Sequence, residues 1–419
     1  VREFAPAGQA GKGDDEMPRK EEKLAVAGKI EPEFNRHYAK VAKRYAAAGI
    51  LCMILFVGYL LGLIVFGSEY ITYDNMRYLI RDFGTAAGET AREFGKIVYN
   101  GSTDTVFAYF RGGAAVCTPD AYRYFDKNGT QIISDPLNYA DPVLAPSEKY
   151  MLVYDMGGTG YSVYNQLTGI VSKETEGKII AADIADDGSL VLVTRSKDTK
   201  FVVELYNAAF NKTMEVYKDG YVLGVAMAPD GKQFLVASAV QASTDFNCEI
   251  QICERGSDEP VSKETIAHAM PLAVRATDDG YLVLCDSAIY YYSRYGTVTK
   301  SVSLAGMTLK YADECGGRIA LIGQVNALGS EHRILVLDKN GEPLYDDTMR
   351  LRVSGIRMAR GDDAYCYLVI SDGVIRVAPD GGLAQESPES GDTLDVIPLG
   401  AGALLCQKNA AYQVFIGKK

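Results

Sequence analysis

Residues 178–217, KIIAADIADDGSLVLVTRSKDTKFVVELYNAAFNKTMEVY, contain four short apolar runs separated by turn residues. The runs are Lys178–Ala185, Ser189–Arg195, Phe201–Tyr206 and Thr213–Tyr217, and they are rich in Val, Ile, Leu and Tyr. Runs of this kind, bounded by turn signals such as the Asp-Asp-Gly at residues 186–188, predict short β-strands joined by tight turns. The stretch therefore predicts one four-stranded antiparallel unit.

The same pattern recurs along the chain from about residue 96 onward. Equivalent units start near residues 104, 141, 177, 219, 268, 306, 351 and 392. A period of about 40 residues with four strands per unit is typical of β-propeller blades. We therefore predict an all-β fold, an extracytoplasmic β-propeller spanning residues 96–419. The count gives eight blades, and seven is the alternative if one unit is malformed.

The last unit is one strand short, with runs only at 394–399, 403–407 and 412–416. The strand-like segment Lys96–Asn100 lies upstream of the first unit and is free to supply the missing strand. Pairing the two ends in this way would close the ring and remove its exposed edges. The chain has no Trp, so the blades lack the WD dipeptide and must pack through Tyr, Val, Leu and Ile.

An apolar segment precedes the propeller. No charged residue occurs between Arg44 and Glu69, and about 20 apolar residues suffice to cross a bilayer, so residues 46–68 are predicted to form one transmembrane helix. Basic residues precede the helix and acidic residues follow it, which favours a cytoplasmic N-terminus and an extracellular C-terminal domain. Those flanking residues are Arg36, Lys40, Lys43 and Arg44 before the helix, and Glu69 and Asp74 after it. The predicted location is the cell membrane, spanned once.

The flanking segments receive separate predictions. Residues 1–45 have few large apolar side chains and are predicted to be a disordered cytoplasmic tail. Residues 69–95 are predicted to be a juxtamembrane helix, with Met76, Leu79, Ile80 and Phe83 on one face, followed by a linker. Gly58 and Gly62 form a GxxxG motif that would permit a homodimer through the transmembrane helix. Glycine is also common in membrane helices, which is the alternative explanation of the motif.

Composition and motifs exclude several classes of function. Residues 1–45 carry ten Lys or Arg and eight Asp or Glu, a net charge of +2. The whole chain has a net charge of -11, so residues 46–419 carry -13. Such an acidic body argues against nucleic acid as a partner. No catalytic motif, metal-ligand spacing or cofactor fingerprint occurs, so no catalytic residue, metal or cofactor is predicted. Of the eight cysteines, four end or interrupt short apolar runs and are predicted to be small buried hydrophobes, namely Cys117, Cys285, Cys366 and Cys406.

Three long loops between the second and third strands of their units are the candidates for a recognition face. They are residues 155–160 (DMGGTG), 241–247 (QASTDFN) and 324–332 (QVNALGSEH), with Asp155, Gly157, Gly158, Asp245, Glu331 and His332 as candidate contacts. The glycines could admit a ligand close to backbone amides. The alternative is that they are turn glycines with positive φ.

Two classes of function remain open. The first is a non-catalytic scaffold that binds envelope proteins or another ligand. The second is an enzyme acting on envelope glycans or peptides, which would require Asp, Glu, Arg or Tyr side chains from different blades to converge at the central channel with shifted pKa values.

Two stretches carry a family resemblance: GSEYITYDNMRYLIRDF at Gly67–Phe83 and KYMLVYDMGGTGYSVYN at Lys149–Asn165, with APDGKQFLVAS at Ala228–Ser238 as a generic propeller turn. In these the chain resembles an uncharacterised family of single-pass proteins from anaerobic Gram-positive bacteria, with a propeller-like ectodomain. The resemblance implies a Gram-positive cell surface. It implies no activity.

Overall fold

The structure is a computed structural model that describes residues 32–66 and 94–416, apart from residues 198, 258, 327–329, 387–391 and 400–401. The chain divides into two compact units, with the division after Tyr78. The first contains one long helix and the second contains the β-strands. The predicted juxtamembrane helix and the tail up to residue 31 lie outside the described residues.

Helix α1 spans Pro32–Phe66. Proline is favoured in the first turn of a helix because its missing N–H has no intrahelical partner there. The helix therefore includes residues 32–45, which we predicted to belong to a disordered tail. Ala, Lys and Arg in this stretch are good helix formers, so the helix extends from the apolar segment back to Pro32 without a break. Within α1, residues Arg36–Leu61 have a mean hydropathy of 1.8 and are unburied, so by length and composition the helix could cross a membrane.

The second unit is a β-propeller of eight four-stranded antiparallel sheets. Blade 8 begins with β1 (Ile97–Val98). Blade 1 comprises β2 (Val106–Phe110), β3 (Gly113–Thr118), β4 (Ala121–Phe125) and β5 (Gln131–Pro136). Blade 2 comprises β6 (Pro142–Pro146), β7 (Met151–Asp155), β8 (Gly160–Tyr164) and β9 (Gly169–Glu174). Blade 3 comprises β10 (Ile179–Ile184), β11 (Leu190–Arg195), β12 (Phe201–Tyr206) and β13 (Lys212–Lys218). Blade 4 comprises β14 (Tyr221–Met227), β15 (Gln233–Ala242), β16 (Asp245–Glu254) and β17 (Pro260–Ile266).

The remaining blades follow the same order, from the inner strand to the outer strand. Blade 5 comprises β18 (Pro271–Ala276), β19 (Gly280–Cys285), β20 (Ala288–Ser293) and β21 (Val298–Ser303). Blade 6 comprises β22 (Thr308–Cys315), β23 (Arg318–Gln324), β24 (Glu331–Leu337) and β25 (Pro343–Arg350). Blade 7 comprises β26 (Val353–Met358), β27 (Cys366–Ile370), β28 (Gly373–Val377) and β29 (Leu383–Glu386). Blade 8 is completed by β30 (Asp395–Leu399), β31 (Gly402–Cys406) and β32 (Ala410–Val414).

The fold prediction is confirmed, including the eight blades. The predicted unit starts at 177, 219 and 306 precede the observed inner strands β10, β14 and β22, which begin at 179, 221 and 308. The agreement follows from the strong alternation of apolar runs and turn residues in each unit.

Blade 8 closes the ring with strands from both ends of the propeller. Strand β1 pairs with β32 in the register Ile97↔Ala411, so the first strand forms the outer edge of the last blade. The Tyr99 hydroxyl donates to the carbonyls of Gln407 and Ala410, at 2.5 and 2.9 Å. The predicted closing strand is therefore confirmed, in a form shorter than Lys96–Asn100.

The core consists of separate apolar clusters between neighbouring blades. Eight clusters occur, and each joins one pair of adjacent blades, including the pair formed by blades 8 and 1. In the cluster between blades 3 and 4, Val191 and Val203 pack against Phe234 and Val236, all nearly fully buried. The apolar burial that stabilises the propeller is thus distributed around the ring. Pairing of the two ends in blade 8 adds the last of these clusters, between blades 8 and 1.

Five consecutive inner strands share one irregularity. Strands β10, β14, β18, β22 and β26 each have a register shift near their start, where one residue bulges out of the ladder. The bulged residues are Ile180, Leu223, Leu272, Lys310 and Ser354. A β-bulge alters the direction of the side chains that follow it, so these strands present equivalent residues at equivalent positions.

Candidate functional site

The inner strands surround a central channel that opens to solvent. Its volume is about 2130 Å³, and it is lined by the inner strands together with the turns that follow them. This volume exceeds the roughly 300–1,000 Å³ of a usual small-molecule pocket. The channel therefore has room for a ligand and its hydration water.

A belt of charged residues lies along the inner strands. The third residue after each bulge is Asp183 in β10, Ala226 in β14, Arg275 in β18, Asp313 in β22 and Arg357 in β26. The four charged members line the channel. We call Asp183, Arg275, Asp313 and Arg357 the charged belt. Four blades thus bring charged groups of both signs together.

The two acidic members of the belt join neighbouring blades. Asp183 accepts a hydrogen bond from the backbone N–H of Met227 at 2.8 Å, and Asp313 accepts one from that of Met358 at 2.7 Å. In both cases the donor belongs to the next blade. Burial raises the pKa of Asp183 to about 6, against the opposing effects of the Met227 amide and Arg275. Burial also raises the pKa of Asp313, and the positive charge of Arg357 offsets part of that rise.

Arg357 is fully engaged with carboxylates. Its Nε and Nη2 atoms donate to the two Oδ atoms of Asp395 at 2.8 and 2.5 Å, which is a bidentate pair between blades 7 and 8. Its Nη1 lies 3.5 Å from Oδ1 of Asp313. Arg357 therefore links three successive blades.

Arg275 differs from Arg357 because it has no carboxylate within 4.0 Å among the described residues. Its Nη1 donates to the carbonyl of Val274 at 2.9 Å, and the side chain is exposed. It lines the same channel as Asp183, Asp313 and Glu314, and its positive charge opposes the rise that burial causes in the pKa of each of these carboxylates. Arg275 is thus a cation with an open side in the channel.

Blades 8, 1 and 2 present an apolar lining. The lining residues there are Val396, Ile397 and Pro398 in blade 8, Val106, Phe107 and Ala108 in blade 1, and Val143, Leu144 and Ala145 in blade 2. We call these nine residues the apolar wall. Beside it, the Arg360 guanidinium lies over the Tyr109 ring at 4.1 Å from the centroid, a cation–π contact between blades 7 and 1. The inner strands therefore present charged residues on blades 3, 5, 6 and 7 and mainly apolar residues on blades 8, 1 and 2, although turn residues of blades 1 and 2 such as Lys127 and Glu148 also line the channel.

The glycine-containing loop at 155–160 docks on blade 3. The N–H of Gly157 donates to the carbonyl of Ile179, and the N–H of Ile179 donates to the carbonyl of Gly158, both at 2.7 Å. Asp155 is buried and accepts from the N–H of Asp141 at 2.8 Å. Gly157 has a φ of 83°, and a Cβ at Gly158 would lie 1.9 Å from Asp155. These groups already have structural partners, which favours the turn explanation of the glycines.

The segment 241–247 is a hairpin end and not a loop. Strands β15 and β16 each have 10 residues and stay paired as far as Ala242↔Asp245. The backbone hydrogen bonds of the ladder continue along this segment although its side chains are polar. At the tip, Nδ1 of His268 lies 2.6 Å from Oδ2 of Asp245. The hydrogen bond to His268 lowers the pKa of Asp245. Sequence reasoning selected Asp245 but missed its partner, which is 23 residues away.

Exposed apolar side chains lie beside this hairpin. Tyr221 (43% exposed) and Leu223 (41%) are in the first residues of β14, and Leu272 (48%) is at the equivalent bulge of β18. Tyr221 pairs in register with Ala239, next to Val240 of the hairpin, which is 36% exposed. We call Tyr221, Leu223, Val240 and Leu272 the hairpin patch. Sequence patterning did not single out any of the four.

The third candidate loop, 324–332, joins β23 to β24. Glu331 pairs with Arg350 of the outer strand at 2.7 Å. His332 lies opposite Gln324 in the ladder, and its Nδ1 has no hydrogen-bond partner within the described part of the chain. The three candidate loops belong to three different blades, 2, 4 and 6.

The two glycines of the GxxxG motif, Gly58 and Gly62, both lie in helix α1. A Cβ at Gly58 of α1 would meet no atom within 4 Å, so that position leaves room for close approach of another helix; the side-chain surroundings of Gly62 lie outside the described residues. In the described ranges no group of three or more His, Cys, Asp or Glu residues is arranged to hold a metal ion.

A family model matches residues 92–376, which span most of the propeller; it represents a family of unknown function, DUF5711. The chain belongs to the DUF5711 family. This agrees with the uncharacterised, propeller-bearing family indicated by the sequence.

Two solved structures resemble the DUF5711 chain in fold. They are the Neurospora crassa Pan2 WD40 domain, with 11% identity, a TM-score of 0.44 and coverage of 66% of this chain and 89% of that one, and Kuenenia stuttgartiensis hydrazine synthase, with 12% identity, a TM-score of 0.45 and coverage of 73% and 98%. No curated protein matches the chain in sequence.

Proposed function

We propose that this protein is a single-pass membrane protein whose propeller lies outside the cytoplasm and binds envelope proteins without catalysing a reaction. Support for the membrane tether comes from α1, which is apolar and long enough to cross a bilayer. The basic residues before α1 and the acidic residues after it favour a cytoplasmic N-terminus. A homodimer through Gly58 and Gly62 is compatible with this arrangement.

The observation that carries the binding role is the hairpin patch beside the extended β15–β16 hairpin. Its four apolar side chains are each at least 36% exposed and belong to the first residues of β14 and β18 and to the end of the β15–β16 hairpin. Exposed large apolar side chains in one region of a domain are candidates for a site of protein association. The rim adds polar groups, including Lys200, whose ammonium lies 4.4 Å from the centroid of the Tyr221 ring. An apolar centre with a polar rim is the usual composition of a protein–protein interface.

Crosslinking in native membranes, followed by affinity capture and mass spectrometry, tests this proposal. The test variant carries Tyr221→Ser, Leu223→Ser and Leu272→Ser. The control carries Ile132→Ser, Val261→Ser and Leu383→Ser, which replace residues of similar exposure (37%, 42% and 51%) on outer strands. We expect the test variant to lose a set of envelope proteins that the control retains. Equal capture by wild type and the test variant would remove the patch as the binding site.

A second candidate function, an enzyme acting on envelope glycans or peptides, is favoured by the convergence at the channel. Asp183, Asp313 and Glu314 come from two blades, line the channel and have pKa values raised by burial. Raised carboxyl pKa values are typical of general acids, and also of buried structural carboxylates. Incubation of the purified protein with envelope glycan fragments and peptides, analysed by mass spectrometry, tests it: products absent from an Asp313→Asn reaction would support catalysis.

A further inference from the structure

The channel combines three features that together specify a ligand: an unpaired cation, nearby carboxylates and an apolar wall. Arg275 is the cation, and no carboxylate of the described chain pairs with it. By contrast, Arg255, Arg294, Arg333, Arg350 and Arg357 each have a carboxylate within 4.0 Å. Arg275 is exposed and lines the channel, so among the described residues it is a donor there without an acceptor of opposite charge.

The carboxylates around Arg275 oppose a purely anionic ligand. Asp183 and Asp313 belong to the charged belt, and Glu314 follows Asp313 on β22. Asp183 and Glu314 accept backbone N–H groups from Met227 and Gly317, and no cation pairs with either within the described residues. Asp313 accepts the N–H of Met358 and also lies 3.5 Å from Arg357, so its charge is compensated further. An anion bound at Arg275 would be repelled by all three, and a cation bound among them would be repelled by Arg275. A ligand that carries both charges satisfies both sets of groups.

The apolar wall adds a requirement for an apolar body. The part of this wall that a ligand can reach consists of half-buried residues of blades 1 and 2, whereas the charged belt lies on blades 3, 5, 6 and 7. The half-buried residues are Val106, Ala108, Val143, Leu144 and Ala145. Burying apolar ligand surface against this wall contributes about 25 cal/mol per Å². The channel volume of about 2130 Å³ accommodates several residues of a peptide.

We propose that the central channel binds a short peptide with free termini and apolar side chains, whose carboxylate pairs with Arg275 and whose ammonium lies beside Asp313 and Glu314 of the neighbouring blade 6. Arg275 suits the carboxylate because a guanidinium can bind both of its oxygens. The site is separate from the hairpin patch, so this inference goes beyond the proposed function. Loss of one binding activity leaves the other intact.

Calorimetric titration of the purified full-length protein with three probes tests the proposal. The probes are leucyl-leucine, its N-acetyl derivative, which lacks the ammonium, and its C-terminal amide, which lacks the carboxylate. We expect leucyl-leucine to bind and each blocked probe to bind at least tenfold more weakly. Equal binding of the N-acetyl probe would overturn the zwitterionic requirement, and no binding of any probe at 10 mM would show a channel that holds only water.

Variants assign the binding to Arg275. Arg275→Met removes the charge and is expected to weaken leucyl-leucine binding at least tenfold. Arg350→Met is the matched control, because Arg350 lies on outer strand β25 and pairs with Glu331. Thermal melting checks that both variants fold. If Arg275→Met does not fold, Arg275→Lys replaces it, because Lys keeps the charge but loses the bidentate geometry. We expect Arg275→Lys to bind leucyl-leucine three- to tenfold more weakly than wild type. Unchanged binding in the variants that fold would refute the assignment.

Discussion

At the residue scale, the carboxylate of Asp183 is the most informative group in the channel. Its pKa is raised from 3.8 to about 6, because burial disfavours its charged form. The native state therefore binds more protons than the unfolded state between these pH values, and stability must fall as pH rises through that window. A shift of about two pKa units corresponds to roughly 3 kcal/mol.

Asp183→Asn provides the test of that linkage. The amide oxygen can still accept the Met227 N–H, but the residue no longer titrates. We expect the stability of wild type relative to the variant to decrease by up to about 3 kcal/mol between pH 4 and pH 7. Urea unfolding across this range measures it, and a pH-independent difference would show that the folded pKa is ordinary.

The Arg357–Asp395 pair is a bidentate ionic link between blades 7 and 8. Replacing Arg357 by Met leaves Asp395 and Asp313 without their cation, and we expect a loss of about 2 kcal/mol. The expected cost is below that of a dry ion pair because the Arg357 side chain is 36% exposed to the channel. A double-mutant cycle with Asp395→Asn should give a coupling of about 1 to 2 kcal/mol. Additive single mutations would mean that the pair is solvated and contributes little.

At the scale of elements, the two-residue strand β1 has an effect beyond its size. Ile97 is 1% exposed and packs in the cluster between blades 8 and 1, whereas the adjacent Val98 is 69% exposed. We expect Ile97→Ala to destabilise the propeller by about 3 kcal/mol, through lost burial and the cavity that remains. Val98→Ala should change stability by less than about 0.5 kcal/mol. Equal effects in denaturant unfolding would contradict the closing role of β1.

Most elements could be predicted because their sequence signals are local. The inner strand Ile179–Ile184 lies within the predicted run Lys178–Ala185, and the strand Phe201–Tyr206 agrees at both ends. The hairpin end at 241–247 could not be predicted, because Gln, Ser, Thr and Asn there resemble a loop while their backbone groups continue the ladder. The start of α1 at Pro32 was missed for a related reason, since polar helix formers also occur in disordered tails.

At the scale of the whole molecule, the candidate site was the least predictable part. Asp183 lies in blade 3 and Arg275 in blade 5. Each occupies the third position after the bulge of its inner strand, so their equivalent placement depends on those bulges. A bulge has no reliable sequence signal, since the bulged residues include Ile, Leu, Lys and Ser. The sequence therefore indicated that groups would have to converge at the channel, but it could not say which ones.

The thiols report on the integrity of the whole ring. All seven propeller cysteines are free, and each except Cys315 is buried. Burial raises the pKa of Cys117 to about 12, which suppresses the reactive thiolate. Among the seven propeller cysteines we expect maleimide to label the partly buried Cys315 fastest in the native protein, and all seven after denaturation, as measured by mass spectrometry. Rapid native labelling of Cys248 or Cys285 would indicate that blades 4 and 5 separate readily.

The joining of β1 to β32 also sets the order of events during synthesis. The strand that leaves the ribosome first in this domain must wait for the one made last, more than 300 residues later, before its hydrogen bonds can form. Until then the backbone groups of β1 lack their partner strand, and other chains could pair with them. A nascent or prematurely terminated chain would carry those unpaired groups, so completion of the ring offers quality-control proteases a simple distinction between finished and unfinished molecules.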